Sequence, residues 1–272
     1  MTGQTMSIKP SPGVLAFQGA QLLWLGLMLW SGVMHAEAQS LSNLLAQADR
    51  HETNGQSQLA LECLLAADRL SPTNCEILCR VTKQYCDLIF ATASKDEQKK
   101  LADQALDAAR RAVAADPKSA KAHLCVAVSY TKKYPFIDNA TKVEYSRLLK
   151  AEAETAIALD PKQDVAYYML GRWHHEVANM NFVQRGLVKI AYGGLPKASD
   201  EQAIQNFKKA IELAPNRIVH HAELARVYRA TGEKKLARGE LEKCRDLTPL
   251  DHDDADAQRD ALKELARIGN SN

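Results

Sequence analysis

The chain has 272 residues, of which 46% are apolar and only 6% are aromatic. Its 13 Gly and 9 Pro supply little turn chemistry for an all-β fold. The 35 Lys and Arg residues nearly balance the 33 Asp and Glu residues, and the formal net charge of +2 argues against a nucleic-acid-binding protein that works by bulk charge.

Residues 1–38 are predicted to form a signal peptide that is cleaved after Ala38. The segment 14–34 is mostly apolar, and Ala36-Glu37-Ala38 has the small-x-small pattern of a cleavage site. The alternative is an uncleaved membrane anchor formed by residues 14–34, which are near spanning length. Cleavage predicts an exported protein, periplasmic or extracellular, and an anchor would also place the body outside the cytoplasm.

The remainder of the chain contains five similar sequence segments, each of which ends in a proline. A proline ends a helix because it lacks an N–H and clashes with the preceding turn. The prolines are Pro72, Pro117, Pro161, Pro215 and Pro249. Their spacings are 45, 44, 54 and 34 residues. The last spacing is the tetratricopeptide period, and the others are that period with insertions.

The fourth unit fits the internal tetratricopeptide pattern best. It has Tyr167-x-x-Leu170-Gly171-x-x-His174 on its first helix and Ala203-x-x-x-Phe207 on its second. The sequence therefore predicts an all-α, tetratricopeptide-like right-handed α-solenoid of about five helix pairs plus a C-terminal capping helix. The predicted repeats are residues 41–74, 75–119, 120–163, 164–217 and 218–251. The cap is residues 252–268, with Ala257, Ala261, Leu262 and Leu265 on its apolar face.

Six cysteines are present without any Cys-x-x-Cys pair, so zinc and thioredoxin-type sites lack support. Two interpretations remain open. Export would permit a disulfide, for example between Cys63 and either Cys75 or Cys79. Alternatively the cysteines are small buried apolar residues, as free cysteines usually are, and this interpretation is favoured.

Catalytic signatures are absent, because the sequence contains no Gly-x-x-x-x-Gly-Lys, Gly-x-Ser-x-Gly or His-Glu-x-x-His. We therefore expect a non-enzymatic protein with no catalytic residue, no cofactor and no metal. The pairs His174-His175 and His220-His221 suggest a hydrolase or a metal-dependent enzyme as the alternative. Adjacent helical residues point about 100° apart, so neither pair chelates alone. His174 and His221 also hold packing positions, which favours a place in the core.

The segment Asp251 to Asp254 lacks the Gly and terminal Glu of a calcium-binding loop. A solvated, acid-rich start to the capping helix is the favoured interpretation, since negative charge suits a helix N-terminus.

The repeat phase predicts a basic groove, because the first helices of such repeats line the concave side. The residues placed there are Arg80, Lys83, Lys121, Lys132, Arg172, His175, Arg226 and Arg229. Arg can hold carboxylates with bidentate hydrogen bonds, so the groove is predicted to bind an extended, acidic segment of a partner protein. The alternative is that long cations merely solvate an exposed face.

The fourth unit carries a more specific pattern. Its first helix contains Leu170-Gly171-Arg172-Trp173-His174-His175, and Ala191-Tyr192-Gly193-Gly194-Leu195-Pro196 follows. This pattern resembles the regulator-of-microtubule-dynamics family over roughly Leu101 to Ile268. The resemblance implies tetratricopeptide-like repeats with an elongated insertion, and association with microtubules and spindle poles in eukaryotic relatives, some of them membrane-anchored or mitochondrial.

Tubulin is thus a possible partner by resemblance alone, through acidic tails that would suit a basic groove. An exported chain departs from that setting, because a periplasm contains no microtubules. Residues 179–198 form the insertion. They are expected to extend one helix and pack on a neighbouring unit through Phe182, Leu187, Ile190 and Tyr192, with a partner-binding face as the alternative.

Overall fold

The computed structural model describes residues 40–269, which separate into two compact units on either side of the Pro72–Thr73 bond. The predicted signal peptide or anchor, residues 1–38, lies outside the described residues. No β-strand occurs between residues 40 and 269, and the prediction of an all-α fold is confirmed. Within the same residues no helix is both long enough and apolar enough to cross a bilayer.

The first unit contributes one helix pair, α1 (residues 40–53) and α2 (Ser57–Leu70). The turn between them contains Gly55, whose φ of +67° is in the left-handed region that glycine adopts without strain. Ala48 and Ala60, both at small-residue positions of the repeat pattern, are completely buried.

The second unit contains four further helix pairs, one short helix between the two members of the third of these pairs, and a final helix. In chain order its helices are α3 (Cys75–Ala91), α4 (Lys95–Ala115), α5 (Ala120–Lys133), α6 (Asn139–Leu159), α7 (Asp164–Ala178), α8 (Phe182–Tyr192), α9 (Asp200–Leu213), α10 (Ile218–Ala230), α11 (Lys234–Asp246) and α12 (His252–Gly269). A 3₁₀ turn, Tyr134–Phe136, follows α5. The paired helices are α3 with α4, α5 with α6, α7 with α9 and α10 with α11, and α12 packs on the last pair.

Local sequence explains where these helices start and stop. Side-chain oxygens of Asn74, Ser94, Ser119 and Asp138 accept hydrogen bonds from backbone N–H groups of the first turns of α3 to α6. Each of the first four closing prolines lies two residues beyond a helix end, as Pro117 does after α4. Proline therefore stops the second helix of each pair, and a polar cap starts the next helix.

Close helix approach in the fourth pair depends on Gly171. A Cβ atom added at Gly171 would lie 2.8 Å from Cε1 of Phe207, a side chain on α9 that is fully buried. Two residues further along α7, Trp173 donates a hydrogen bond to the carbonyl oxygen of Ser146 at 2.9 Å. The small and large residues of the repeat pattern thus pack against each other, as the sequence pattern requires.

The capping helix α12 packs through Ala261, which is 3% exposed, but Leu262 is 45% exposed. The prediction that Leu262 faces the core was wrong, because the packed side of α12 continues through Leu265 and Ile268 instead. Asp254 also corrects the expectation of a solvated acidic start, since it is completely buried.

Buried Asp254 is stabilised by the backbone around it. Its carboxylate accepts hydrogen bonds from the N–H groups of Val219 at 3.1 Å and Leu250 at 3.2 Å. Asp251 caps α12 by accepting from the Asp254 N–H and pairs with Arg217 at 2.6 Å. Acidic residues at this junction therefore join α12 to the start of α10.

The insertion forms a separate helix, α8, which does not continue α7. Phe182, Leu187 and Ile190 are 90%, 61% and 88% exposed. The expectation that these side chains pack on a neighbouring unit was therefore wrong. The capping box of Asn181 and Gln184 begins a new helix and separates α8 from α7.

All six cysteines lie within the described residues and are free thiols. Cys79, Cys86 and Cys244 are buried, and burial raises the pKa of the Cys86 and Cys244 thiols to about 12. A thiol with such a pKa stays protonated at neutral pH, so these side chains act as small packing residues.

Candidate functional site

A groove of about 1650 Å³ runs along the second unit. Its lining comes mainly from α5, α6, α7 and α10, with α12 forming one wall. Apolar side chains such as Tyr168, Met169 and Val177 line part of it. Nine Lys or Arg side chains and five Asp or Glu side chains also line it, a formal surplus of four positive charges with His neutral.

Four charged side chains form an ion-pair network where α7 and α10 meet. Arg172 Nη2 lies 3.0 Å from a carboxylate oxygen of Glu176 on the next turn of α7. Arg226 Nη2 lies 2.7 Å from Glu223, and longer contacts of 3.8 and 3.9 Å link the two helices. The two arginines predicted to hold a partner's carboxylates are therefore already paired with carboxylates of this chain.

Electrostatics keep Arg172 charged despite its position in the groove. Burial by itself lowers its pKa, but the neighbouring Tyr168 hydroxyl and the two glutamates outweigh that effect. The pKa of Arg172 is therefore raised above its usual value. The same burial raises the pKa of Tyr168, so its hydroxyl stays neutral and can donate a hydrogen bond.

Three lysines of the groove lack a carboxylate partner among residues 40–269. The Lys132 ammonium lies 3.9 Å from the centre of the Phe90 ring, a cation–π contact. Lys142 on α6 and Lys234 on α11 line the groove without an ion pair to a described residue. Repeat phase does not predict Lys142 and Lys234 as groove residues, because they belong to second helices, which that phase does not assign to the concave side.

The eight residues predicted to form the groove separate into two sets. Lys132, Arg172, Arg226 and Arg229 line it. The other four, Arg80, Lys83, Lys121 and His175, are not among the lining residues. Lys83 pairs with Asp87 at 2.6 Å and Lys121 pairs with Glu76 at 2.6 Å. Binding of a partner by any of the eight stays a prediction.

His175 is buried and does not line the groove. It is 6% exposed, and its Nδ1 lies 2.6 Å from the carboxylate of Asp200 at the start of α9. The Asn179 side chain, which follows α7, donates to the same carboxylate at 2.9 Å. Asp200 and Asn179 thus meet around His175.

Each of the other paired histidines is also buried. His220 lies 2.8 Å from Asp164, and His221 lies 2.6 Å from Glu240. His174 Nδ1 has no hydrogen-bond partner among the described residues, and burial, assisted by nearby Lys150, lowers its pKa. No group of three or more His, Cys, Asp or Glu side chains within residues 40–269 is arranged to hold a metal ion.

Solved structures of helical-repeat proteins share this architecture. A thermophilic TPR protein from Thermus thermophilus matches 82% of this chain and 98% of its own, with a TM-score of 0.61 and 17% identity. A Pseudomonas aeruginosa pilF structure matches 86% of this chain and 93% of its own, with a TM-score of 0.52 and 13% identity. The protein therefore has a tetratricopeptide-like fold.

Within that class the chain belongs to the family of regulators of microtubule dynamics, proteins 1–3, whose family model matches residues 44–269. Mouse regulator of microtubule dynamics protein 1 is 27% identical over 240 residues, covering 88% of this chain and 78% of the relative. Mouse protein 2 is 26% identical over 238 residues, covering 86% of this chain. This chain spans only 58% of that second relative.

Proposed function

We propose that the protein is a non-enzymatic scaffold whose groove binds an extended, acidic segment of another protein. The observation that carries the proposal is the surplus of four positive charges in the groove, in a chain of nearly balanced charge. Apolar side chains between the cations provide contact area that charge alone lacks. A partner segment would place carboxylates against the lysines and apolar side chains against Tyr168 and its neighbours.

The three lysines without an ion pair, Lys132, Lys142 and Lys234, are the first contacts to test, because none of them pairs with a carboxylate among residues 40–269. Fluorescence polarisation with labelled Asp/Glu-rich peptides measures binding at several salt concentrations. Lys142→Glu with Lys234→Glu should weaken binding about tenfold at low salt, because two attractive charges become repulsive. Lys208→Glu with Lys235→Glu is the matched control, since both are exposed lysines that do not line the groove.

The arginine network provides the second comparison. Arg172→Ala with Arg226→Ala removes two cations and leaves Glu176 and Glu223 without their partners, so an acidic segment should bind more weakly. The lining then keeps a formal surplus of two positive charges, whereas the lysine reversals remove all four, so we expect a smaller loss of affinity than for the lysine pair. Absence of peptide binding at low salt, or binding that is unchanged in the arginine variant, would contradict the proposed groove function.

The second candidate function is regulation of microtubule dynamics, with residues 14–34 as a membrane anchor. Family membership favours it, since the relatives carry that role in their names. Acidic tubulin tails would then be the segment in the groove. Co-sedimentation with microtubules tests the idea, and the lysine variant should remain in the supernatant. Lack of tubulin in the source organism would exclude this candidate.

The compartment is part of the proposal as well. Cleavage after Ala38 would release the repeats into the periplasm or the extracellular space, whereas an anchor would keep them at a membrane. Mass spectrometry of the mature N-terminus distinguishes the two. A mature chain that begins at Gln39 supports export, and an intact N-terminus supports the anchor.

A further inference from the structure

Helix α8 presents a stripe of large apolar side chains to solvent. Phe182, Val183, Leu187 and Ile190 are 90%, 66%, 61% and 88% exposed. At 100° per residue these four positions fall within an arc of about 140° on one side of the helix. Isolated exposed apolar residues are ordinary, but a contiguous stripe on a single helix marks an interaction surface.

The helix is fixed to the second unit from its other side. The side chain of Val188 is half-buried, and the Arg185 guanidinium donates a hydrogen bond to the carbonyl oxygen of Ala178 at the end of α7, at 2.7 Å. At the other end the Arg147 guanidinium donates hydrogen bonds to the carbonyl oxygens of Tyr192 and Gly194. These contacts hold α8 in one orientation, so the apolar stripe is displayed to solvent by a secured helix.

The charge around the stripe has a single sign. Residues 177–199 contain Arg185, Lys189 and Lys197 but no Asp or Glu. On the helix, Arg185 and Lys189 lie beside the edge of the stripe that begins at Phe182. Lys189 and Lys197 are exposed and form no ion pair with another described residue. A surface of opposite charge would therefore complement this face.

We propose that α8 docks on the surface of an anionic lipid bilayer, with the stripe among the acyl chains and the three cations among the headgroups. A helix with an apolar face that includes Phe and Leu and with flanking Lys and Arg is suited to this interface. A second copy of the chain fits less well, because it would bring three further cations against these three.

A protein partner also fits this surface less well than lipid does. Binding energy between proteins concentrates where a side chain fills a pocket, and α8 has no buried residue and contributes no lining residue to the groove. A fluid bilayer accommodates an exposed apolar helix face without needing a matching surface. The proposed lipid contact is separate from the groove, so it can be tested independently of the proposed groove function.

Vesicle flotation of the full chain tests the apolar contact. The vesicles contain phosphatidylcholine alone or phosphatidylcholine with phosphatidylserine. Phe182→Ser with Ile190→Ser should lower the partition coefficient for the anionic vesicles at least tenfold, because burial of either side chain in lipid would be lost. Leu236→Ser with Leu250→Ser is the matched control, since these side chains are 50% and 62% exposed elsewhere, and it should leave binding unchanged.

Reversing the charge of the lysines around the stripe tests their proposed contact with anionic lipid headgroups. Lys189→Glu with Lys197→Glu should remove at least a tenfold preference for phosphatidylserine, whereas Lys208→Glu with Lys235→Glu should keep it. Residues 14–34 are identical in every variant, so any binding that they provide cancels in these comparisons. Equal vesicle binding by the serine variant and its control would overturn the proposal. The proposal would also be overturned if the chain self-associates and the serine variant abolishes that self-association without reducing vesicle binding. The molecule that covers the stripe would then be a second copy of the chain.

Discussion

Gly171→Ala should destabilise the protein although alanine is the better helix former. In an open helix this change would stabilise by about 1 kcal/mol. At Gly171 the new methyl group would meet three atoms of the Phe207 ring at 2.8–2.9 Å, and that ring is fully buried. Overpacking of a filled core costs about 1–3 kcal/mol, so we expect a net loss of about 1 kcal/mol in the free energy of unfolding. Urea denaturation followed by circular dichroism measures it.

The chain offers both a control and a rescue for this prediction. Gly239→Ala lies inside α11 with nothing within 4 Å of the added methyl group, and it should stabilise by up to about 1 kcal/mol. Phe207→Leu should make room for the added methyl group in the double variant. In the fifth repeat Ala225 and Leu241 hold the positions of Gly171 and Phe207 and are buried in one cluster, so the double variant has the same combination. A double-mutant cycle should then show favourable coupling of about 1 kcal/mol. Equal stability of the two alanine variants, or zero coupling, would refute the packing argument.

Three further predictions concern groups buried between helices. Asp254→Ala should lower the free energy of unfolding by about 2–4 kcal/mol in denaturant titrations, because two backbone N–H groups lose their acceptor. Burial opposes the charged form of His123, but hydrogen bonds to Glu152 and to a backbone carbonyl outweigh that effect and raise the pKa of His123. The stabilising contribution of His123 is therefore complete below pH 6.5 and is lost as the pH rises through the higher pKa of the folded state. His123→Gln should remove this pH dependence from the free energy of unfolding. For His174 burial lowers the pKa, so its effect has the opposite sign: stability falls as pH drops below 6.5, and His174→Phe should flatten that decline.

The helix pairs could be predicted from the sequence because their signals are local. A proline ends the helix that precedes it, and small and large residues at fixed spacings indicate which helix faces pack together. The repeat pattern places Gly171 and Phe207 at a small and a large position of the fourth unit, and the structure brings these two residues together at 2.8 Å. The same local reasoning failed for Leu262, since the apolar face of α12 has alternatives and only the neighbouring helices decide which residues are covered.

The groove was harder to predict because its lining depends on where whole helices lie. Repeat phase gives Lys83 the same register as Arg172 and Arg226, yet the part of α3 that lines the groove is its C-terminal end, at Ile89 and Phe90. Phase also gives no information about ion pairs between helices, so the carboxylates beside the arginines were not anticipated. Long-range placement, rather than residue type, separates the lining cations from the others.

The exposed face of the inserted helix α8 could not be predicted from the residue pattern either. The apolar residues of α8 have the composition of a packed helix, and composition alone favoured packing. The structure instead holds this helix by its ends and by Val188, and leaves the larger apolar face uncovered. An amphipathic pattern indicates that the apolar face of a helix is covered, but it does not indicate whether the surface that covers it belongs to the same chain or to another molecule.

Two repeats, the third and the fifth, have a histidine at the first large position of the repeat pattern, and the geometry explains why histidine suits that position. Nitrogens of the His123 ring lie 3.0 Å from the carbonyl oxygen of Pro117 and 2.5 Å from a carboxylate oxygen of Glu152. His221 makes the same two contacts with the preceding proline carbonyl and with Glu240, at 2.9 and 2.6 Å. Both neighbours of each ring are oxygen atoms that can accept a hydrogen bond, and at His123 these two hydrogen bonds raise the pKa of the ring. One side chain thus ties the end of the preceding repeat to both helices of its own repeat, which an apolar residue of the same size could not do.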